Sequence, residues 1–397
     1  MSGRELCRDL FCQPRRIRRG AALTLVFAGV LVAGAATGSF PETAPTARET
    51  AVGPSPATTG HEDVQKAAAE AMADGKSPME AAERAVSRSG DRWGAVYTEG
   101  EYEEFQEALD GKYTGVGLWA GREQDGRIEV TWVQPDSPAA AAGIREGDRL
   151  TSVDGDRVDG RPVTDVVSLL RGDADGAAAG TTVTLGLERG TRAWTEKLRR
   201  ASLSTDSVTV RRLPDGVTVI KIAAFTKGSG DAVRAAVRRA PADGGIILDL
   251  RGNSGGLVTE AVETSSAFLD GGLVATYDVD GAPRSLHAGP GGDTARPLVV
   301  LVDGGTMSAA EMLTGALQDR GRAVVIGSRT FGKGSIQMPT KLPDGSVAEL
   351  TVGHYRTPSG HTVDGRGITP DLEVDPADGQ AAVERAGTVL SGLGDAD

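Results

Sequence analysis

From Gly216 onward, short apolar runs alternate with segments of helical spacing. The stretches "GVTVIKIAAF", "GGIILDL", "RPLVVLVD" and "AVVIG" read as buried strands, and "GSGDAVRAAVRRA", "LVTEAVETSSAFLD" and "SAAEMLTGALQDRG" as helices between them. Buried strands alternating with helices imply βαβ units and a mainly parallel core sheet. A hairpin, "TKLPDGSVAELTVGHYRTP", follows. Residues 113 to about 200 have a different texture: β-like runs such as "YTGVGLWA", "RIEVTWV" and "GTTVTLGLERG" are divided by glycine turns. Within them Ser137 to Ile144 reads as a short helix, and "EGDRLTSVDGDRV" as two strands about an Asp154-Gly155 turn. Upstream, residues 61 to 89 have helical spacing, with Ser77-Pro78-Met79-Glu80 as a helix start, and a second helix is predicted over Glu99 to Leu109. Residues 41 to 60 form a Pro/Thr/Ala tether, and the Ala/Gly/Asp-rich tail past Asp375 is expected to fray. The fold class expected is α/β (α+β) and multi-domain.

Charge and cysteine usage narrow the function. A net charge of -12 over 397 residues, with no basic stripe, argues against nucleic-acid binding. At the N-terminus "RRIRRG" (Arg15 to Gly20) precedes twenty uncharged residues, Ala21 to Phe40. That order reads as an export signal, with Ala33, Ala35 and Ala36 suited to cleavage, or as an uncleaved membrane anchor. Either way the positive-inside rule puts the remainder outside the cytoplasm. Cys7 and Cys12 both precede the apolar run, so the exported part has no cysteine for a disulfide or a thiolate metal site. Four histidines, His61, His287, His354 and His361, make a His-rich metal site improbable, and no cofactor is expected.

The candidate chemistry begins at "DGGTMSAAE", residues 303 to 311. Ser308 followed by Glu311 is a capping box at the start of a helix. The same converging N–H groups could hold an oxyanion if Ser308 attacked a carbonyl. Capping is much the commoner use. A nucleophilic serine needs a base. His354 and His361 are available, but neither lies in a recognised hydrolase context. Lys333 in "TFGKGSIQM" is the alternative, provided burial makes it neutral near working pH. Gln337, four residues on, would share its face in a strand and could orient the amine. Most lysines in such turns are merely solvated. Gly327 to Lys333 also satisfies the first seven places of a phosphate-binding loop. Gly334 replaces the metal-binding Ser/Thr, however, and β-like sequence replaces the helix, so nucleotide binding is rejected. Finally, "ILDLRGNSGG" (Ile247 to Gly256) ends a buried strand in a turn able to present backbone N–H groups.

Taken together, the ordered motifs resemble the C-terminal processing proteases, the tail-specific Ser/Lys peptidases. The resemblance runs from about Asp91 to Asp371. It covers "DRWGAVYTEGEYEEFQ", a PDZ-like block with "SPAAAAGIREGDRL" and "VDG", then "DLRGNSGG", "TMSAAE", "TFGKGSIQ" and "DGRGITPD". It implies a β-rich PDZ domain, inserted before a βαβ-type serine protease core, that binds a substrate's C-terminus through the loop Gly115, Val116, Gly117 and Leu118. Ser308 would be the nucleophile, Lys333 the general base and Gln337 the residue holding the lysine. The oxyanion hole would be the N–H of Ala309 with that of Gly255, or alternatively Gly256. The chain departs from the family pattern at Thr306-Met307, where a Ser-Ala pair is usual, and at Asp91-Arg92-Trp93 in the early contact segment.

The expected organisation is 1–40 signal or anchor, 41–60 flexible linker, 61–111 a small helical element, 112–202 PDZ, 203–376 protease core and 377–397 tail. The expected function is that of an exported serine endopeptidase acting near the apolar C-terminal tails of protein or peptide substrates, with membrane association through the N-terminal segment. A non-catalytic extracytoplasmic PDZ adaptor for such tails, and a histidine-dependent serine hydrolase, are the alternatives. Oligomeric state is left open by the sequence.

Overall fold

The structure is a computed structural model that describes residues 57–123, 125–172, 179–279, 282–375 and 379–394. The signal or anchor segment and most of the tether lie outside these residues. Among the described residues no helix is long and apolar enough to cross a membrane. They fall into two compact units, residues 114–203 and the segments flanking them in sequence.

The chain begins with α1 (Ala57–Ala73) and α2 (Pro78–Ser89). Ser77 caps α2 by accepting from Glu80 N, with Pro78 at the first helical position, where its missing N–H costs nothing. Then come β1 (Ala95–Tyr97) and α3 (Glu99–Leu109); α3 starts in a complete capping box between Thr98 and Glu101. Strand β2 (Lys112–Gly115) leads into the smaller unit.

That unit contains β3 (Leu118–Arg122), β4 (Ile128–Val133), α4 (Pro138–Ala141), β5 (Arg149–Val153), β6 (Asp156–Arg157), α5 (Val163–Arg171), β7 (Thr182–Arg189) and β8 (Arg192–Arg199). Its sheet runs β3-β4-β5-β7-β8, with β6 on β5, so β3 is at one end. The expected turn is present: Asp154 and Gly155 both have positive φ, as a two-residue hairpin of this hand requires. Ile128, Val130, Leu150, Leu185 and Val166 form its core. Strand β9 (Ala201–Ser204), paired with β2, leads out.

In the larger unit β10 (Val208–Arg212), β11 (Thr218–Ile222), α6 (Ser229–Arg239), β12 (Ile246–Asp249) and α7 (Val258–Ser265) are followed by β13 (Leu273–Val279) and β14 (Ala282–His287). Next are β15 (Leu298–Val302), α8 (Ala309–Asp319), β16 (Val324–Gly327), β17 (Ser335–Lys341), β18 (Val347–Arg356), β19 (Leu372–Glu373) and α9 (Gly379–Gly394). One sheet runs β10-β11-β12-β15-β16-β19 and is parallel from β11 onward. Alternate residues of its strands face opposite ways. Ile220, Ile246, Leu248 and Val300 pack with α6, α7 and α8, whereas Val219, Ile247, Val299 and Leu301 pack with α9. The second sheet is antiparallel, β1-β18-β13-β14, with β17 on β18.

One expectation is corrected. The tail past Asp375 does not fray along its length: α9 buries Ala382, Ala386 and Leu390, four residues apart, on the sheet. The N-terminal segment is helical and packs within the larger unit. Val64, Ala68 and Ala82 pack on Leu342, Ala348 and Leu350 of the β17–β18 hairpin, in the same unit as the parallel sheet.

Candidate active site

Strand β15 delivers the chain into the loop 303–307, which is laced to the turn after β12. Asp303 Oδ1 accepts from Gly252 N and Gly305 N, both at 2.9 Å. Thr306, fully buried, donates its hydroxyl to Leu250 O at 2.9 Å, and Met307 N donates to Asn253 O at 2.9 Å. Thr306 thus keeps a hydroxyl where the resembled family has a serine.

Ser308 is the next residue, buried and strained, with φ 53° and ψ -118°. Asp136 and Asp154 also have positive φ, but both are exposed turn residues. A conformation of this kind costs on the order of 1–3 kcal/mol and persists only where its surroundings over-determine it. Here they do. Ser308 N donates to Glu311 Oε2 at 2.9 Å, and Tyr355 donates its hydroxyl to Ser308 O at 3.0 Å. Gly255 packs so closely that a Cβ there would lie 3.0 Å from Ser308 Cβ.

Glu311 does more than close the capping box. Its buried carboxylate also accepts from Thr330 Oγ1 at 2.5 Å, Gly332 N at 2.7 Å and Lys333 N at 2.8 Å. Ser308 N and Lys333 N share the same oxygen, Oε2. One carboxylate therefore fastens the loop bearing the lysine to the helix bearing the serine. Burial pushes the Glu311 carboxyl above its ordinary range, opposed by the Thr330 hydroxyl and the three backbone donors.

The Lys333 side chain is buried, and its Nζ donates to Gln337 Oε1 at 3.0 Å. Gln337 Nε2 donates in turn to Trp93 O, which fixes the amide's orientation, and the Trp93 ring lies 5.0 Å from Nζ. Burial lowers Lys333 from 10.5 to about 8, against the opposing pull of Glu349, Asp91 and Glu311. The expected contact is present, but its geometry differs from the strand-face argument. Lys333 lies two residues ahead of β17, and a register shift separates Ile336 from Gln337. The side chain's reach makes the contact. Asp91 secures the Trp93 segment, accepting at Oδ1 from Trp93 N (3.0 Å), Gly94 N (2.9 Å) and Thr351 Oγ1 (2.8 Å), and at Oδ2 from Thr351 N (2.8 Å).

Ala309 N–H is the first donor of α8, a position with no acceptor within the helix. Gly255 N–H donates to Asn253 Oδ1 at 2.8 Å, whereas Gly256 N–H has no hydrogen-bond partner among the described residues. Neither histidine joins this cluster. His354 is half-exposed with Nε2 3.8 Å from Asp364, and His361 is exposed beside Ser359 and Asp319.

Residues 216–374 match Peptidase family S41, and residues 129–179 match a PDZ domain. The chain belongs to the S41 peptidases that carry a PDZ domain. It is 34% identical over 306 residues to a probable CtpA-like serine protease of Staphylococcus haemolyticus, covering 76% of this chain and 60% of that one. It is 36% identical over 308 residues to carboxyl-terminal-processing peptidase 3, chloroplastic, of Arabidopsis thaliana, covering 72% of this chain and 58% of that one. The chain thus spans less than two thirds of the length of these curated relatives. A crystal structure of a putative S41 protease from Bacteroides fragilis shares the fold, with a TM-score of 0.53 at 19% identity over 80% of this chain and 91% of that one.

In this S41 chain the loop expected to hold a substrate's C-terminus lies in the smaller unit. Gly115 ends β2, Val116 is buried and Leu118 begins β3. Gly117 has φ 78°, and a Cβ there would meet Ser137 Cβ at 2.2 Å, so glycine is required. The loop's carbonyls are used internally: Val116 O accepts from Ala139 N at 2.9 Å and Gly117 O from Gln134 N at 2.8 Å.

Sequence reasoning missed the second role of Glu311 and the part played by Trp93. The "DRW" stretch was the available sign of the latter.

Proposed function

We propose that the protein is a serine endopeptidase that captures the apolar C-terminal tail of a protein substrate with its PDZ domain and cleaves near it with Ser308 and Lys333. One observation carries the reading: a fully buried lysine, depressed to about 8 and oriented by Gln337, is fastened through Glu311 to a strained serine at a helix start.

Neutral Lys333 Nζ takes the proton from Ser308 Oγ as that oxygen bonds to the scissile carbonyl carbon. The oxyanion forms toward the N–H groups of Ala309 and Gly256. Gly256 is preferred over Gly255 because Asn253 already occupies the Gly255 donor. Each such donor supplies about 3 kcal/mol in the transition state. The tetrahedral adduct collapses, the C–N bond breaks, and the Lys333 ammonium returns its proton to the leaving amine. Water then bonds to the acyl carbon of the Ser308 ester as Lys333 Nζ takes its proton, the C–O bond to Ser308 breaks, the ammonium returns the proton to Ser308 Oγ, and the acid product leaves. A base of this kind works in its neutral form, so activity rises with pH through about 8.

The proposal includes an extracytoplasmic location, from Arg15 to Phe40, with the protein either anchored there or released after cleavage. Its partners are protein or peptide tails, not nucleic acid.

Intact-mass measurement of a protein bearing an apolar C-terminal tail tests the reading. Wild type shortens the substrate, whereas Ser308→Ala and Lys333→Ala leave it whole. Tail binding with no shortening by wild type would favour the adaptor, and loss of cleavage in His354→Ala or His361→Ala would favour a histidine base.

A further inference from the structure

Strand β18 carries a carboxylate that the proposed mechanism does not use. Glu349 is fully buried, and neither carboxylate oxygen has a hydrogen-bond partner among the described residues. A buried carboxylate in that condition is costly when charged, unless a cation compensates it. Its place in the sheet puts it in the row next to the residue that holds the Lys333 amine. Glu349 is directly opposite Pro339 of β17, and Thr351 is opposite Gln337, so the two pairs occupy successive same-face rows of the β17–β18 ladder. Gln337 is the residue that holds Lys333 Nζ. On its other side Glu349 is paired with Ala95 of β1, which offers no charge.

The other charged groups around the amine are already satisfied. Asp91 accepts four hydrogen bonds from Trp93, Gly94 and Thr351, and Glu311 accepts four from Ser308, Thr330, Gly332 and Lys333 N. Around Glu349 itself the titratable neighbours among the described residues are Lys333, Tyr97 of β1 and Tyr102 of α3, and burial, with the carboxylate's help, pushes both phenols above their ordinary range. Of the three carboxylates acting on Lys333, Glu349 alone lacks donors to hold its charge.

We propose that Glu349 is the buried counter-charge of Lys333, a positioning residue that determines when the lysine is free to act as base. The inference rests on the reading of Lys333 as that base. Burial raises Glu349 to about 7 against the opposing pull of Lys333. As pH rises through that range the carboxyl ionises, and its negative charge then retains the proton on the amine. The result is a base that becomes available later than burial of the amine alone would bring it.

The test is the pH dependence of kcat/KM on a tailed peptide for wild type, Glu349→Gln and Glu349→Met, the last removing the charge while filling the volume. Both variants should move the acidic limb to lower pH by about half a unit to one unit, with about threefold to tenfold higher activity on that limb. Coincident limbs would overturn the proposal. Carbamylation of Lys333 by cyanate against pH, followed by mass spectrometry in a Ser308→Ala background, reads the amine directly. An amine titration that moves with Glu349→Gln, but that kcat/KM does not follow, leaves the counter-charge standing and removes Lys333 as base. An amine titration that does not move removes the counter-charge.

Discussion

The two sheets of the larger unit prepare their reactive groups by opposite means. The parallel sheet presents Ser308 on a turn tied down by hydrogen bonds at Asp303, Thr306, Met307 and Glu311, which together hold a strained backbone in place. The antiparallel sheet does the reverse for Lys333. It removes water from the amine and supplies one oriented acceptor, the Gln337 amide, with a carboxylate beyond it that has no donor. The proposed nucleophile is prepared by geometry and the proposed base by desolvation. Glu311, on α8, joins the two.

Substitutions that separate the two means have graded effects. The largest is expected at the strained serine: Ser308→Gly should abolish cleavage, by more than about 10⁴-fold, yet raise stability by about 1 kcal/mol, because glycine adopts positive φ without strain. Assay and thermal melting of the same sample check both halves. Next comes the joint. Glu311→Gln retains the shape but replaces an accepting oxygen with a donor, so the lysine loop should shift on α8. A loss of about 10²-fold in kcat with a lowered Tm is expected. On the base side alone, Gln337→Leu should cost about tenfold in kcat with KM little changed, and should lower stability by about 1–3 kcal/mol because the Lys333 amine and Trp93 O lose their partner. The smallest effect on chemistry is expected far from both: Leu390→Ala in α9 should lower stability by about 2–4 kcal/mol while leaving kcat/KM per folded molecule unchanged.

Much of this arrangement was legible in the amino-acid order. The strand β15 is an uninterrupted apolar run, β12 is apolar up to Asp249, β16 up to Gly327, and β11 is broken inside only by Lys221, because both faces of this sheet are buried, and that pattern needs no tertiary knowledge. Ser308, Lys333 and Gln337 were readable as parts of ordered motifs. Glu311 was readable only as a cap. Its bonds to Gly332 and Lys333 cross more than twenty residues, and its spacing to Ser308 already had a sufficient local explanation. The Gln337–Trp93 contact spans 244 positions and leaves no periodic trace. No motif marks Glu349 in the hairpin sequence, and its burial follows from packing that only the fold shows, with α1 and α2 covering Ala348 and Leu350 on either side of it. Helix α9 was hidden by the small residues around Ala382, Ala386 and Leu390, since an apolar stripe made largely of alanine has little contrast with its surroundings.

The central claim is that a buried, neutral lysine activates Ser308. The pH profile of kcat/KM for the wild-type protein on a tailed peptide tests it most directly. The account predicts a single acidic limb centred near pH 8, from the Lys333 value of about 8, with a plateau above it. A limb near pH 6.5, where an ordinary histidine titrates, that persists undiminished in Lys333→Ala would contradict it.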